Sequence, residues 1–233
     1  ENYPVTLFLS REGYFKKITP QSLRMSSEQK YKENDGPMQE FEAENKDELL
    51  IFTDKQQVYK VRVSDFEDSK ASVLGVFLAS QLEMDEGENV ICMINPGDYS
   101  SHILLFFANG KAARIELSAY ATKTNRKRLT GAYSDKSPLV CILPLTEERE
   151  IAVFSTEGRA LVFNTALLAP KASRTTIGVA LMNVKSKHSL ERAMYVEDSP
   201  IKNIARYRAK SIPVTGALLR DEDREEKQMS LMD

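Results

Sequence analysis

An apolar run, a four-residue turn and an alternating strand follow one another four times along this chain. The turns read Ser10-Arg11-Glu12-Gly13, Thr53-Asp54-Lys55-Gln56, Phe107-Ala108-Asn109-Gly110 and Ser155-Thr156-Glu157-Gly158. VTLFL, LLIF, ILLFF and IAVF lead into them, and YFKKIT, QVYKVRV, KAARIEL and RALVFN lead out. Apolar residues on either side of a tight turn, with period-two alternation, predict a β-hairpin. The last turn position falls at 13, 56, 110 and 158, in steps of 43, 54 and 48 residues. Self-similarity at this period marks propeller-like blades, so the predicted fold is all-β with about four blades.

Each repeat is longer than its hairpin. VICMI precedes the third turn and LVCIL the fourth, each followed by a polar loop, and PMQEFEAE fits the same slot before the second. Cys92 lies 18 residues before Gly110 and Cys141 lies 17 before Gly158. Such matching places suit small core residues better than a disulfide or a metal pair. Glycines at 36, 75, 131 and 178 mark comparable points in the connections, where positive φ or close backbone approach is expected. Gln56 stands where the other turns carry glycine, which predicts a reshaped or strained second turn. Ala193-Met194-Tyr195-Val196 reads as a strand with no hairpin after it; pairing it with the first hairpin would close the ring and remove exposed edges. On this reading residues 1–212 form the blades and residues 213–233 an acidic, flexible tail.

At 233 residues the chain is long enough for one large all-β domain with a substantial core. Its apolar runs are too short to span a membrane and it shows no signal peptide, so a cytoplasmic location without membrane contact is expected. The sequence opens at Glu1 in mid-pattern, as a piece of a longer polypeptide would. No P-loop, G-x-S-x-G or H-E-x-x-H pattern occurs, and His102 and His188 have no ligand-spaced neighbours, so no catalytic or metal residue is expected in this stretch.

The blade pattern of apolar strand, T/S-x-x-G and an alternating strand carrying Lys or Arg resembles the C-terminal β-pinwheel domain of bacterial type IIA DNA topoisomerase A subunits, the gyrase A and topoisomerase IV A family. SREGYFKKITPQSL resembles the first-blade hairpin of that family, NRKRLTGAYSDKSPLV and SRTTIGVALMNVK its later connections, and YRAKSIPVTGALLRDED its closing segment. The resemblance covers essentially the whole chain. It implies an accessory domain that holds or bends double-stranded DNA on its outer rim for strand passage by a catalytic core. It further implies, as partners, the catalytic core of the same polypeptide together with an ATPase B subunit. A nucleoid-associated location follows from it too, with ATP and Mg²⁺ for the parent enzyme and no cofactor in this domain. The gyrase branch carries a box of the form Q-R/K-R-G-G-R/K-G in the first connection, where this chain reads SSEQKYKENDG. The resemblance therefore points to a topoisomerase IV-like domain rather than a strongly wrapping one.

Charge narrows where DNA would lie. A net charge of −2 excludes a uniformly basic surface, and residues 28–54 carry nine acids against three bases. Residues 111–128, in contrast, hold Lys111, Arg114, Lys123, Arg126, Lys127 and Arg128 against Glu116 alone. Lys17, Lys60 and Arg114 recur four residues past successive turns, with Val162 in the fourth. Together with Lys16, Lys171, Arg174, Lys185 and Lys187 these are the candidate DNA contacts; bases on loops beside Thr and Asn suit phosphate contact rather than base reading. Lys202, Arg206, Arg208 and Lys210 form a further positive run. Tyr14, Tyr59, Tyr120 and Tyr133 are expected in the core. The acidic tail, with six acids against three bases from residue 220 onward, is a candidate for masking the basic rim. The alternative function is a protein-interaction propeller that does not touch DNA, which the net acidity favours.

Overall fold

The computed structural model describes residues 1–123 and 127–225. Its strands are, in chain order, β1 (Pro4–Ser10), β2 (Tyr14–Ile18), β3 (Pro37–Glu44), β4 (Glu48–Thr53), β5 (Gln57–Arg62), β6 (Val76–Phe77), β7 (Val90–Ile94), β8 (His102–Phe107) and β9 (Lys111–Glu116). They continue with β10 (Arg128–Thr130), β11 (Leu139–Leu145), β12 (Glu150–Ser155), β13 (Arg159–Asn164), β14 (Pro170–Lys171), β15 (Val179–Ala180), β16 (Leu190–Tyr195) and β17 (Ala217–Leu218). They form four blades of propeller type, ordered β3-β1-β2-β6, β10-β5-β4-β7, β11-β8-β9-β14 with β15 also on β9, and β16-β12-β13-β17. The predicted hairpins are the central pair of every blade. Glu1–Ser100 with Tyr120–Tyr133 makes one compact unit holding the first two blades; Ser101–Ala119 with residues 134–225 makes another holding the last two.

The blades are built by exchange. A later strand (β3, β7, β11, β16) pairs antiparallel with the incoming strand of the hairpin before it. The outgoing strand is paired by chain that lies beyond the following hairpin: β6 in the first blade, β10 in the second, β14 and β15 in the third. PMQEFEAE, VICMI and LVCIL thus do share a slot, but it belongs to the blade before them. Cys92 and Cys141 sit opposite Phe52 and Phe106 in that slot, next to a bulge in each case, and neither forms a disulfide. The expected ring closure by the last strand does not occur. β16 pairs with β12 in its own blade, and the first hairpin already has β3 as its partner.

Exchange also fills the core. Ten residues past the turn position come Phe66, Tyr120 and Leu168, all buried. Phe66 lies with its ring centroid 4.5 Å from that of Phe15 in the first blade, and Tyr120 lies 5.4 Å from Phe52 in the second. Leu168 joins Leu104 and Phe106 of the third. The fourth blade is completed by residues 201–223: Ile201, Tyr207 and Leu219 cluster with Phe154, while β17 pairs with β13. Asp223 is fully buried and accepts hydrogen bonds from the Lys202 and Asn203 backbone N–H groups (2.6 and 3.0 Å) and the Tyr207 hydroxyl (2.6 Å). The boundary expected at residue 212 therefore runs through a packed blade, and residues 213–225 belong to it. The rest of the acidic tail, 226–233, lies outside the described residues. The position matching Phe66 in the first repeat is Leu23, on the helix Pro20–Met25, which buries no residue.

Glycine serves two purposes. Gly75, Gly178 and Gly216 precede β6, β15 and β17; a Cβ on each would stand 2.4, 2.6 and 2.7 Å from the carbonyl oxygens of Phe15, Ala112 and Ala160. Of the four glycines expected to be equivalent only 75 and 178 share this place. Gly36 instead precedes β3, and Gly131 lies beyond β10, whose matching position is Arg128. At the turns, Gly13, Gly110 and Gly158 adopt φ of 91°, 88° and 77° and donate to the carbonyls of Ser10, Phe107 and Ser155. Gln56 keeps the same left-handed conformation at φ 53°. The Tyr133 hydroxyl bridges its turn, donating to the Thr53 carbonyl (2.5 Å) and accepting from the Gln56 N–H (3.3 Å). Burial pushes this phenol up to about 12, so it remains a donor. The second turn is bridged rather than reshaped.

Replacing Gln56 by glycine removes the left-handed penalty and is expected to stabilise the chain by about 1 kcal/mol in urea denaturation, whereas Tyr133→Phe, which leaves both turn groups unbridged, costs about 1–3 kcal/mol. The exchanged core predicts a contrast in the same assay: Phe66→Ala loses about 3–5 kcal/mol and the equivalent Leu23→Ala less than about 1.

Candidate nucleic-acid interface

The repeated bases of the hairpins face inward. Lys17 is buried; its Nζ donates to Asn45 Oδ1 (2.8 Å) and the Val63 carbonyl (3.4 Å) and lies 3.5 Å from the Asp68 carboxylate. Arg114 is equally committed. Its Nη1 reaches the Thr165 carbonyl (3.1 Å) and Glu148 Oε2 (3.1 Å), its Nη2 reaches Glu148 Oε1 (2.8 Å), and its Nε donates to His102 Nδ1 (2.8 Å). Val63 and Thr165 are each seven residues past a turn position, so Lys17 and Arg114 hold the same corner, the one flanking the next hairpin in their unit. Lys60 donates to Thr122 Oγ1 (3.1 Å) and sits over the Tyr99 ring, two residues that flank the third hairpin in sequence. The fourth blade has no such corner to hold, and Val162 packs in its core. Lys16 is likewise buried, bonded to the Ala71 and Val73 carbonyls (3.2 and 3.0 Å), and burial lowers its pKa. Of the five hairpin bases expected to contact DNA, Lys16, Lys17, Lys60 and Arg114 are thus committed to joining segments of the fold, and the fifth is Lys111 at the start of β9.

The bases of the connections are placed differently. Lys123 and Lys127 are exposed in the first unit, and Lys171, Lys185 and Lys187 in the second, with Lys185 3.2 Å from Glu157. Lys111 is half-buried. Arg174 is half-buried and tied to the Ala119 carbonyl (2.8 Å). Arg126 lies outside the described residues. In the later run Lys202, Arg206 and Lys210 are exposed, while Arg208 forms a bidentate pair with Glu150 (2.9 and 3.0 Å). Tyr59, Tyr120 and Tyr133 are buried as expected, and Tyr14 stacks on the exposed Phe77 with centroids 5.0 Å apart.

Arg128 enters a polar cluster that charge counting does not reveal. It bonds Gln57 and Asp85, and Gln57 in turn bonds the buried Glu88. The available signal is Gln57 and Tyr59 at alternating positions of β5, since a buried polar group needs a partner. Among the described residues no group of three or more His, Cys, Asp and Glu could hold a metal ion, and no helix is long and apolar enough to cross a membrane.

Fold and surface define a propeller of exchanged blades, three of four strands and one of five, with lysines on its connections. The family described as DNA gyrase C-terminal domain, beta-propeller, matches residues 47–91 and 149–197, the cores of the second and fourth blades. The DNA topoisomerase 4 A subunit of Staphylococcus epidermidis is 25% identical over 200 residues, covering 84% of this chain and 25% of the relative; the Staphylococcus aureus protein of that name is 24% identical over 188 residues, covering 78% and 23%. The chain thus spans about a quarter of the length of these curated relatives. Among solved structures, the C-terminal domain of DNA topoisomerase IV superposes with a TM-score of 0.78 at 21% identity, over 94% of this chain and 73% of that one. The E. coli ParC C-terminal domain gives 0.66 at 13% identity, over 94% of each chain. The family model thus matches parts of the chain, and the superpositions show that the chain has the fold of these C-terminal domains.

The inward role of Arg114 is testable through stability. Arg114→Ala removes a buried guanidinium that bonds the Thr165 carbonyl and the exposed Glu148, and is expected to cost about 1–3 kcal/mol. Hydrogen bonds from Arg114 and Thr165 hold the Glu148 carboxyl below the usual carboxylate range. A carboxylate with a lowered folded pKa contributes stability above its unfolded pKa and loses it as the pH falls through the folded value. Glu148→Gln should therefore weaken the chain at neutral pH and flatten the acid limb of its stability profile, measured by urea titration below about pH 5.

Proposed function

We propose that this chain is a DNA-binding accessory domain of a type IIA topoisomerase, holding duplex DNA against its blade connections for strand passage by a catalytic core elsewhere in the polypeptide. One observation carries the reading. Lys16, Lys17, Lys60 and Arg114 on the hairpins are spent on internal bonds, while Lys123, Lys127, Lys185 and Lys187 project from connections and Lys171 from the short strand β14. Exposed lysines beside Ser and Thr hydroxyls fit phosphate oxygens without reading bases. Few such contacts, on a chain of net charge −2, give modest affinity. With SSEQKYKENDG where a gyrase box would stand, the mode is topoisomerase IV-like, a partial arc rather than a tight wrap. On this reading the parent enzyme requires ATP and Mg²⁺ and works with an ATPase B subunit, and the domain acts in the cytoplasm at the nucleoid.

Mobility shifts with a duplex of about 40 bp over a salt series test this. Each lysine that touches phosphate contributes about 0.9 to the log–log salt slope. Lys123→Glu with Lys127→Glu, and separately Lys171→Glu with Lys185→Glu and Lys187→Glu, should each flatten the slope and weaken binding, while Lys17→Met should leave the slope unchanged. Binding indifferent to both sets refutes the assignment, and no binding at low salt favours the protein-interaction alternative.

A further inference from the structure

In three blades the residue before an outer strand is Gly75, Gly178 or Gly216, and its missing side chain lets the backbone close on a carbonyl. At the matching register the second blade has Arg128, opposite Tyr59. A side chain replaces close backbone approach. The guanidinium carbon lies 5.5 Å from the centroid of the Tyr59 ring, Nε donates to Gln57 Oε1 at 2.5 Å, and Nη2 donates to Asp85 Oδ2 at 2.6 Å.

Gln57 is itself fixed. Its Nε2 donates to Glu88 Oε2 at 2.8 Å and to Asp85 Oδ2 at 3.3 Å, so its amide cannot turn over without losing the bonds to Glu88 and to Arg128 together. Glu88, 4% exposed, is held by Thr53 Oγ1 (2.5 Å), the Tyr59 hydroxyl (2.9 Å) and the Asp85 backbone N–H (2.9 Å). The order of dependence runs from a buried carboxylate through a buried amide to a guanidinium whose side chain is 37% exposed. A guanidinium presents five donors in one plane. Here one edge is bound to Gln57 and Asp85, and the opposite edge carries the remaining donors.

We propose that Arg128 is a preorganised contact for a backbone phosphate, and that Gln57, backed by Glu88, is its positioning residue. The proposal rests on the duplex-binding reading given above. A rotamer set in advance does not have to be immobilised on binding, which favours affinity at fixed contact area. Asp85 offsets the charge of Arg128 at a distance, so this contact contributes through its geometry at close range more than through long-range attraction.

The test uses the whole chain and a duplex of about 40 bp, with affinity read by fluorescence anisotropy across a salt series. Arg128→Ala should weaken binding several-fold and reduce the salt slope by about 0.9. Gln57→Ala should produce a similar loss, and the double variant should lose no more than Arg128→Ala alone, because a positioning residue matters only while the residue it positions is present. Additive losses, or an unchanged slope in Arg128→Ala, overturn the proposal while leaving the duplex-binding reading intact. Absence of wild-type binding at about 50 mM salt overturns both. Should Gln57→Ala fail to fold, the Arg128 Nε–H resonance decides in the wild type: it should be protected from exchange in the free chain and shift on duplex addition, and a resonance unmoved at saturation refutes the contact.

Discussion

No blade in this chain is finished by its own hairpin. The outgoing strand of a hairpin is left with an unpaired edge, and the chain beyond the next hairpin covers it in the first three blades. An open edge is a site for unwanted pairing, and covering it this way fixes much else. It sends Phe66, Tyr120 and Leu168 into cores that lie earlier in the sequence. It explains why Tyr120–Tyr133 belongs to the first unit although the third hairpin precedes it. It also demands glycine where a connection returns against a carbonyl, at Gly75, Gly178 and Gly216.

The same constraint divides the positive charge into two populations. Lys17 and Arg114 are bound to carbonyls and carboxylates at the corner of the following hairpin, where an unpaired buried cation would be costly. The connection lysines carry no such duty and stand in solvent. Composition averages over both populations and over the acids of residues 28–54, which is why a slightly negative chain can still present local positive surface.

The repeat, its hairpins and the matched cysteines were legible because alternation and turn residues are local signals. Pairing partners were not. VICMI looks the same whether it joins the hairpin before it or after it, and only three-dimensional closure distinguishes the two. The same limit misplaced the last strand, which has a partner in β12, and drew a boundary at residue 212 through the segment that carries Leu219 and Asp223. At the site, charge patterning located the connection bases but could not separate them from Lys16, Lys17, Lys60 and Arg114. A lysine on a period-two strand points inward or outward according to register, and here its inward neighbours are carbonyls that leave no trace in the sequence. Gln56 is instructive in another way. Its unfavourable place in the turn is plain in the sequence, yet its remedy, the Tyr133 hydroxyl, lies 77 residues away.

Exchange also sets a timetable for the nascent chain. The first blade gains its final strand only when residue 77 has been made, after the whole second hairpin; the second waits for residue 130, the third for residue 180 and the fourth for residue 218. Each of the first three hairpins therefore spends a period with one bare edge while the ribosome completes the next one, and that interval is when a growing chain is most open to mispairing with a neighbour.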